Sequence, residues 1–73
     1  MEVIPNKVYD HFKEGKYLVL SVAEDSTNAR EGNKVVVYVS LTYGKVLVRD
    51  LAEFTEEVEW PDGQKRSRFS LAQ

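Results

Sequence analysis

The run from Lys34 to Leu41, KVVVYVSL, constrains a chain of this length more than any other stretch. Side chains alternate across a strand, so Val35, Val37, Val39 and Leu41 share a wholly apolar face and Val36, Tyr38 and Ser40 a mixed one. β-Branched and aromatic residues suit a pleated, half-buried surface, and nothing in the run caps or continues a helix. The stretch therefore predicts the central strand of a small β-domain.

The remaining residues fit one domain, 1–73, with no room for a second. The absence of cysteine excludes a disulfide framework and a thiolate metal site, and it fits a reducing compartment. Ten basic against 12 acidic residues give a net charge of −2, without the basic excess that phosphate contacts demand of a duplex-DNA binder. The opening residues MEVIPNK have no basic-then-apolar pattern of a signal peptide, and no apolar run approaches membrane-spanning length. The expectation is a cytoplasmic protein that does not engage a membrane.

In chain order, Pro5-Asn6 ends an apolar lead-in with a turn signal. Val8 to Lys13 reads two ways. As a helix, Val8 and Phe12 share a face with Gly15 at the C-cap. As a strand, Tyr9, His11 and Lys13 alternate with Val8, Asp10 and Phe12, and Glu14-Gly15 makes a two-residue hairpin link. Lys16 to Ala23 is a strand with Leu18, Leu20 and Val22 on one face. Glu24 to Asn33 is the longest loop, and Thr42-Tyr43-Gly44 a tight turn into a strand at Lys45 to Arg49. Asp50 to Glu53 has capping-box form and predicts one helical turn that drops Leu51 and Phe54 onto the core. Strands at Glu56–Trp60 and Lys65–Leu71 flank Pro61-Asp62-Gly63, the clearest turn signal present. The fold expected is all-β: a small SH3-like barrel of five to six short antiparallel strands with one short helical turn, since closure is a common remedy for exposed edges. Phe12, Phe54 and Phe69 are the aromatic core expected.

Chemistry is sparse. His11 is the only histidine and has no partner for a metal site or a catalytic triad, so its ordinary reading is a strand residue with one hydrogen bond. No serine sits in a nucleophile elbow, and the glycines are scattered at turns instead of forming a phosphate loop. Glu53, Glu56, Glu57 and Glu59 invite a metal, but Lys65, Arg66 and Arg68 across the turn explain them as cross-strand charge pairs. The same basic residues with Trp60 would make a nucleic-acid platform, blunted by those glutamates. Tyr9, His11 and Tyr38 lie opposite the apolar faces. If their faces adjoin, they make a tyrosine-lined groove flanked by Lys13 and Arg49; otherwise they are a solvated face.

These pieces resemble a family of small bacterial proteins, domain-of-unknown-function family 1653. Its motif runs Tyr-x-His-Phe-Lys-Gly, Tyr-x-Val-Leu, a Ser-Glu-Thr loop, Val-Val-Tyr and Trp-Val-Arg-Pro-Leu before Phe. Here it reads YDHFKEGKYLVL at Tyr9 to Leu20, VVY at Val36 to Tyr38 and VLVRDLAEF at Val46 to Phe54. The resemblance implies an SH3-like barrel, supports the hairpin at Val8 to Lys13, and places motif residues at Tyr9, His11, Phe12, Lys13, Tyr38 and Arg49. Leu47 stands where the family favours Trp, Asp50 where it favours Pro, and Glu24 to Asn28 departs from the family loop. The family supplies no reaction.

The function expected is a non-enzymatic module that binds a peptide segment or partner protein through Tyr9, His11, Lys13, Tyr38 and Arg49. Single-stranded nucleic acid is the alternative ligand, and no cofactor or metal is called for. Whether the chain forms a homo-oligomer is not readable from the sequence.

Overall fold

The computed structural model describes residues 2–72. Among them are seven strands: β1 (Val8–His11), β2 (Lys16–Glu24), β3 (Lys34–Ser40), β4 (Val46–Asp50), β5 (Glu57–Glu59), β6 (Lys65–Ser67) and β7 (Phe69–Leu71). One helical turn, α1 (Leu51–Phe54), and a 3-10 turn at Asn28–Arg30 complete the elements. The class is all-β, as the sequence predicts.

All pairings are antiparallel. Five strands form one sheet in the order β4-β3-β2-β1-β7, and β5 and β6 form a separate hairpin. Val8 to His11 is a strand, with Tyr9 opposite Tyr17 on β2 and His11 opposite Phe69 on β7. Its link to β2 is longer than the two residues expected. The Glu14 N–H donates to the His11 carbonyl at 2.9 Å and the His11 N–H to the Gly15 carbonyl at 3.1 Å, which closes a turn over Phe12 to Glu14.

The seventh strand arises because Lys65 to Leu71 is not continuous. Lys65–Ser67 pairs with β5, whereas Phe69–Leu71 pairs with β1. Arg68 is the junction, its N–H on the Glu56 carbonyl at 2.7 Å and its own carbonyl accepting the Phe12 N–H at 3.1 Å. The expected barrel is not closed: β4 and β7 are the two edges of an open sheet, and no ladder joins them. The sheet does curl. A bulge between Val19 and Ser21 adds local twist, and Arg49 on β4 reaches over the Phe69 ring on β7, 5.5 Å from its centroid.

The core lies on the inside of this curl, and it is aromatic. Tyr9, Val19, Val36, Tyr38, Phe54 and Phe69 are buried together with Val3, and Tyr17, Leu47 and Leu51 pack against them. The inward face of β3 is thus the mixed one. Of the apolar face only Val35 is buried; Val37 and Val39 are half-buried and Leu41 is 52% exposed. On β2 the inward residues are likewise Tyr17 and Val19, with Leu20 and Val22 exposed. Of the expected aromatic core, Phe54 and Phe69 are buried and Phe12 is partly exposed. The two tyrosines tolerate burial because their hydroxyls are satisfied. The Ile4 N–H donates to the Tyr9 oxygen at 2.9 Å and Arg49 Nε to the Tyr38 oxygen at 3.2 Å.

Helical turn α1 delivers Phe54 to the core as expected, but its capping box does not form. The Asp50 carboxylate accepts the Asn33 side-chain amide at 2.9 Å, and that of Glu53 takes Arg49. The loop before β3 is organised by Asp25, whose carboxylate accepts the Thr27 N–H and Arg30 Nε, both at 2.9 Å. These bonds, led by the backbone one from Thr27, lower the Asp25 pKa to about 2 from the usual 3.8. The unfolded chain therefore takes up this proton first on acidification. The Asp25 contribution is complete above the unfolded pKa and is lost as pH falls towards 2. A carboxyl-detected NMR titration is expected to place the Asp25 midpoint near 2, and Thr27→Pro, which removes the donor, to raise it.

Candidate functional site

The inner face of the curled sheet opens at one end, where β1, β4 and β7 approach one another. His11 ends β1 with its side chain inward, 4.6 Å from the Phe69 ring, 5.0 Å from Phe12 and 6.1 Å from Tyr17, centroid to centroid. Below it Phe69 stacks on Phe54 at 4.0 Å with ring planes 2° apart, and Tyr38 meets both edge-on at 5.3 and 5.4 Å. Rings in these edge-on and stacked contacts gain from quadrupole geometry as well as from burial.

Cations crown this floor. Arg49 lies over Phe69, its Nε on the Tyr38 hydroxyl and one amino group on Glu53 at 2.9 Å. Arg68 lies over Phe12 at 5.6 Å, its Nε on the Glu53 carbonyl at 3.0 Å and one amino group on Glu56 at 2.6 Å. Both side chains are only 30% and 20% exposed, so each guanidinium is held in place instead of sweeping through solvent. Each arrangement engages Nε and one amino group, and the second amino group makes no hydrogen bond among the described residues. Lys13 stands at the rim, 5.7 Å above the Phe12 ring.

Burial lowers the His11 pKa below its usual 6.5, and the charges of Arg49, Arg68 and Lys13 push it the same way. The Lys13 N–H also donates to Nδ1 at 3.3 Å, an arrangement that only a neutral imidazole accepts. At neutral pH the ring is uncharged, with its proton on Nε2. Below pH 6.5 the unfolded chain binds the proton that the folded one resists, so stability falls as pH falls from there towards the folded-state value. Arg49→Gln is expected to move the imidazole midpoint back up in a proton NMR titration. His11→Gln should remove the loss of stability between pH 7 and 5 that this residue causes, as read from urea midpoints.

The five residues singled out from the sequence converge here, but in two layers. Tyr9 is fully buried and Tyr38 3% exposed, so they form the floor and not a tyrosine-lined groove. His11, Lys13 and Arg49 form the accessible part. Sequence reasoning did not group Tyr17, Phe69 or Arg68 with these five: it placed Phe69 in the core and Arg68 with Lys65, Arg66 and Trp60. A signal existed for Tyr17, which opens the Tyr-x-Val-Leu piece of the motif and alternates in phase with Val19.

Several clefts adjoin the site. One of about 540 Å³ is lined by Phe12, Lys13, Glu59, Trp60 and Pro61. Two others are smaller. One, about 350 Å³, lies between the β3–β4 turn and β2 and is lined by Tyr17, Ser40, Tyr43, Lys45 and Leu47. The other, about 380 Å³, separates His11 and Phe12 from Trp60 and Pro61. Arg66 covers one face of Trp60 at 4.7 Å, and the indole N–H is donated to the Ser67 carbonyl, which leaves one ring face for stacking. Of the expected cross-turn charge pairs, Arg68–Glu56 forms, whereas Arg66 pairs with Asp62 inside the turn. Among the described residues no group of three or more His, Asp or Glu side chains could hold a metal ion, and no helix is long and apolar enough to cross a membrane.

No curated protein matches the chain. A crystal structure of a Bordetella bronchiseptica protein belonging to DUF1653 superposes with a TM-score of 0.75 at 29% sequence identity, covering 94% of this chain and 87% of that one. The family model described as "Protein of unknown function (DUF1653)" matches residues 7–71, nearly the whole sequence. With motif, fold and family model in agreement, the chain belongs to the DUF1653 family.

Proposed function

We propose that this protein is a binding module, not an enzyme, and that it takes an acidic segment of a partner protein on the His11–Arg49–Arg68 face. The observation that carries this reading is the pair of restrained guanidiniums set on aromatic rings, Arg49 over the stacked Phe69 and Arg68 over Phe12. A preorganised guanidinium loses little freedom on binding and offers its unengaged amino group to a carboxylate. The rings beside it supply rigid apolar contact, the combination on which recognition surfaces depend. Catalysis lacks support, because the neutral imidazole faces rings and cations, with no hydrogen-bonded nucleophile to activate.

Single-stranded nucleic acid is the competing ligand, favoured by the same cations and by the remaining face of Trp60. The net charge of −2 weighs against it, since phosphate contacts along a strand call for a basic excess. The test is affinity capture from a lysate of the source cells, with and without nuclease, using the wild-type protein and an Arg49→Gln/Arg68→Gln variant. A partner that survives nuclease, rebinds as a purified protein and is lost in the variant is the expected result. Capture that disappears with nuclease would replace this reading with the nucleic-acid one, and equal capture by the variant would move the site elsewhere.

A further inference from the structure

The free edge of β4 borders both the arginine site and the Tyr17–Tyr43–Leu47 cleft. The hydrogen-bond phase of this strand shows what its edge offers. The Ser40 N–H donates to the Lys45 carbonyl at 2.9 Å, so the main-chain groups of Lys45 point towards β3. Groups alternate along an antiparallel strand, so those of Leu47 and Arg49 also point to β3, and those of Val46 and Val48 point outward. No strand pairs with that edge among the described residues, and the Val46 and Val48 side chains are 60% and 62% exposed. The edge carries no proline and no bulge that would blunt it.

The inward side chains of the same strand read Lys45, Leu47, Arg49. Leu47 lines the apolar cleft, and Arg49, two residues on and about 7 Å away, presents its guanidinium. We infer that β4 takes an extended peptide as an added antiparallel strand, whose sequence signature is an acidic residue two positions before a large apolar one. Strand addition gains affinity from main-chain hydrogen bonds and specificity from alternate side chains. In the antiparallel direction, the peptide residue facing Arg49 precedes by two the residue facing Leu47. The first meets a cation and the second covers Tyr43, which is 85% exposed at the cleft mouth. This rests on the proposed binding function and names the ligand class for it.

Charge complementarity favours a partner peptide over a second copy of the chain. Two β4 strands paired about Leu47 would set Lys45 opposite Arg49. Paired about Val48, they would gather two Lys45 and two Arg49 side chains on one face without bringing a new acid. An acidic peptide brings a carboxylate to the Arg49 amino group that Glu53 does not engage.

The test is an NMR titration of the protein with the peptide acetyl-Ser-Thr-Glu-Thr-Leu-Thr-Ser-amide. Three altered peptides go beside it: Gln for Glu, the Glu and Leu exchanged, and N-methylation of the two threonines that flank Leu, whose N–H groups face Val46 and Val48. Exchange of Glu for Gln, or of the two positions, is expected to weaken binding about tenfold, the size of one charge-assisted contact. N-methylation should abolish binding, with shifts confined to β4, Tyr17 and Tyr43 in the unmodified case. Val48→Pro, which removes an outward N–H and no ladder bond, should mimic N-methylation. Binding at His11 and Arg49 that ignores N-methylation and Val48→Pro would overturn strand addition and leave the face-binding reading standing. No shift with any peptide would overturn both. Peptide-independent dimerisation in sedimentation, lost in Val48→Lys, would assign the edge to a second copy and overturn the peptide.

Discussion

Phe69→Ala is expected to destabilise the domain by about 3–5 kcal/mol, the usual cost of emptying a fully buried aromatic position. Phe69 is 1% exposed and touches Phe54, Tyr38, Tyr17 and His11, so no neighbour can relax into the space without leaving its own ring contacts. A domain of this length holds roughly 4–11 kcal/mol in total, so a loss of this size removes from about a quarter of its stability to all of it. Urea denaturation read by the fluorescence of the single tryptophan measures it. Leu41→Ala serves as the contrast. Although it belongs to the apolar face of β3, Leu41 is half exposed and its truncation is expected to cost under about 1 kcal/mol. If the two variants cost the same, the core is not where the aromatic cluster places it.

Gly15→Val comes second, at about 2–3 kcal/mol. Gly15 has φ +101°, a region that β-branched residues avoid, and a Cβ there would lie 3.1 Å from Cε1 of the Tyr17 ring. The ring must swing away, and it lines the apolar cleft. Gly63→Val separates the two causes, since Gly63 has φ +84° with nothing within 4 Å of the added carbon. It should lose only the backbone part, about 1–2 kcal/mol. A Gly15 variant no worse than the Gly63 one would show that Tyr17 yields without cost.

The turns were legible because glycine, proline and asparagine act locally. Gly15, Gly44 and Gly63 all sit at positive φ where the sequence places turns, and β3 is a strand where its valines place one. Which face of β3 is inside was not legible. A period of two defines two faces, and hydropathy then favours Val35–Val37–Val39, yet the core is built from rings. Tyr9 and Tyr38 look like surface residues until Ile4 and Arg49 are seen to satisfy their hydroxyls. The break at Arg68 was hidden for a similar reason: partner strands, not local preference, split Lys65 to Leu71. Of the residues singled out from the sequence, His11, Lys13 and Arg49 lie at the accessible end of the sheet and Tyr9 and Tyr38 lie in the core. Arg68 was absorbed into a charge pair that it does make, and its second role above Phe12 needs the fold to be seen.

The pairing of β1 with β7 joins the two ends of the sequence, and it sets His11 against Phe69. The β2–β3–β4 meander needs only short loops to close, whereas this contact closes nearly the whole chain and bears the largest loop entropy. Arrival of the last strand therefore completes the ring floor on which the arginines rest. A fluctuation that peels β7 away takes Phe69 from beneath Arg49 while the meander persists, so a ligand on the proposed binding face would stabilise β7 and be stabilised by it. Amide exchange in β7 should slow when the face is occupied, and the occupancy of the site is written into the lifetime of the chain's longest-range contact.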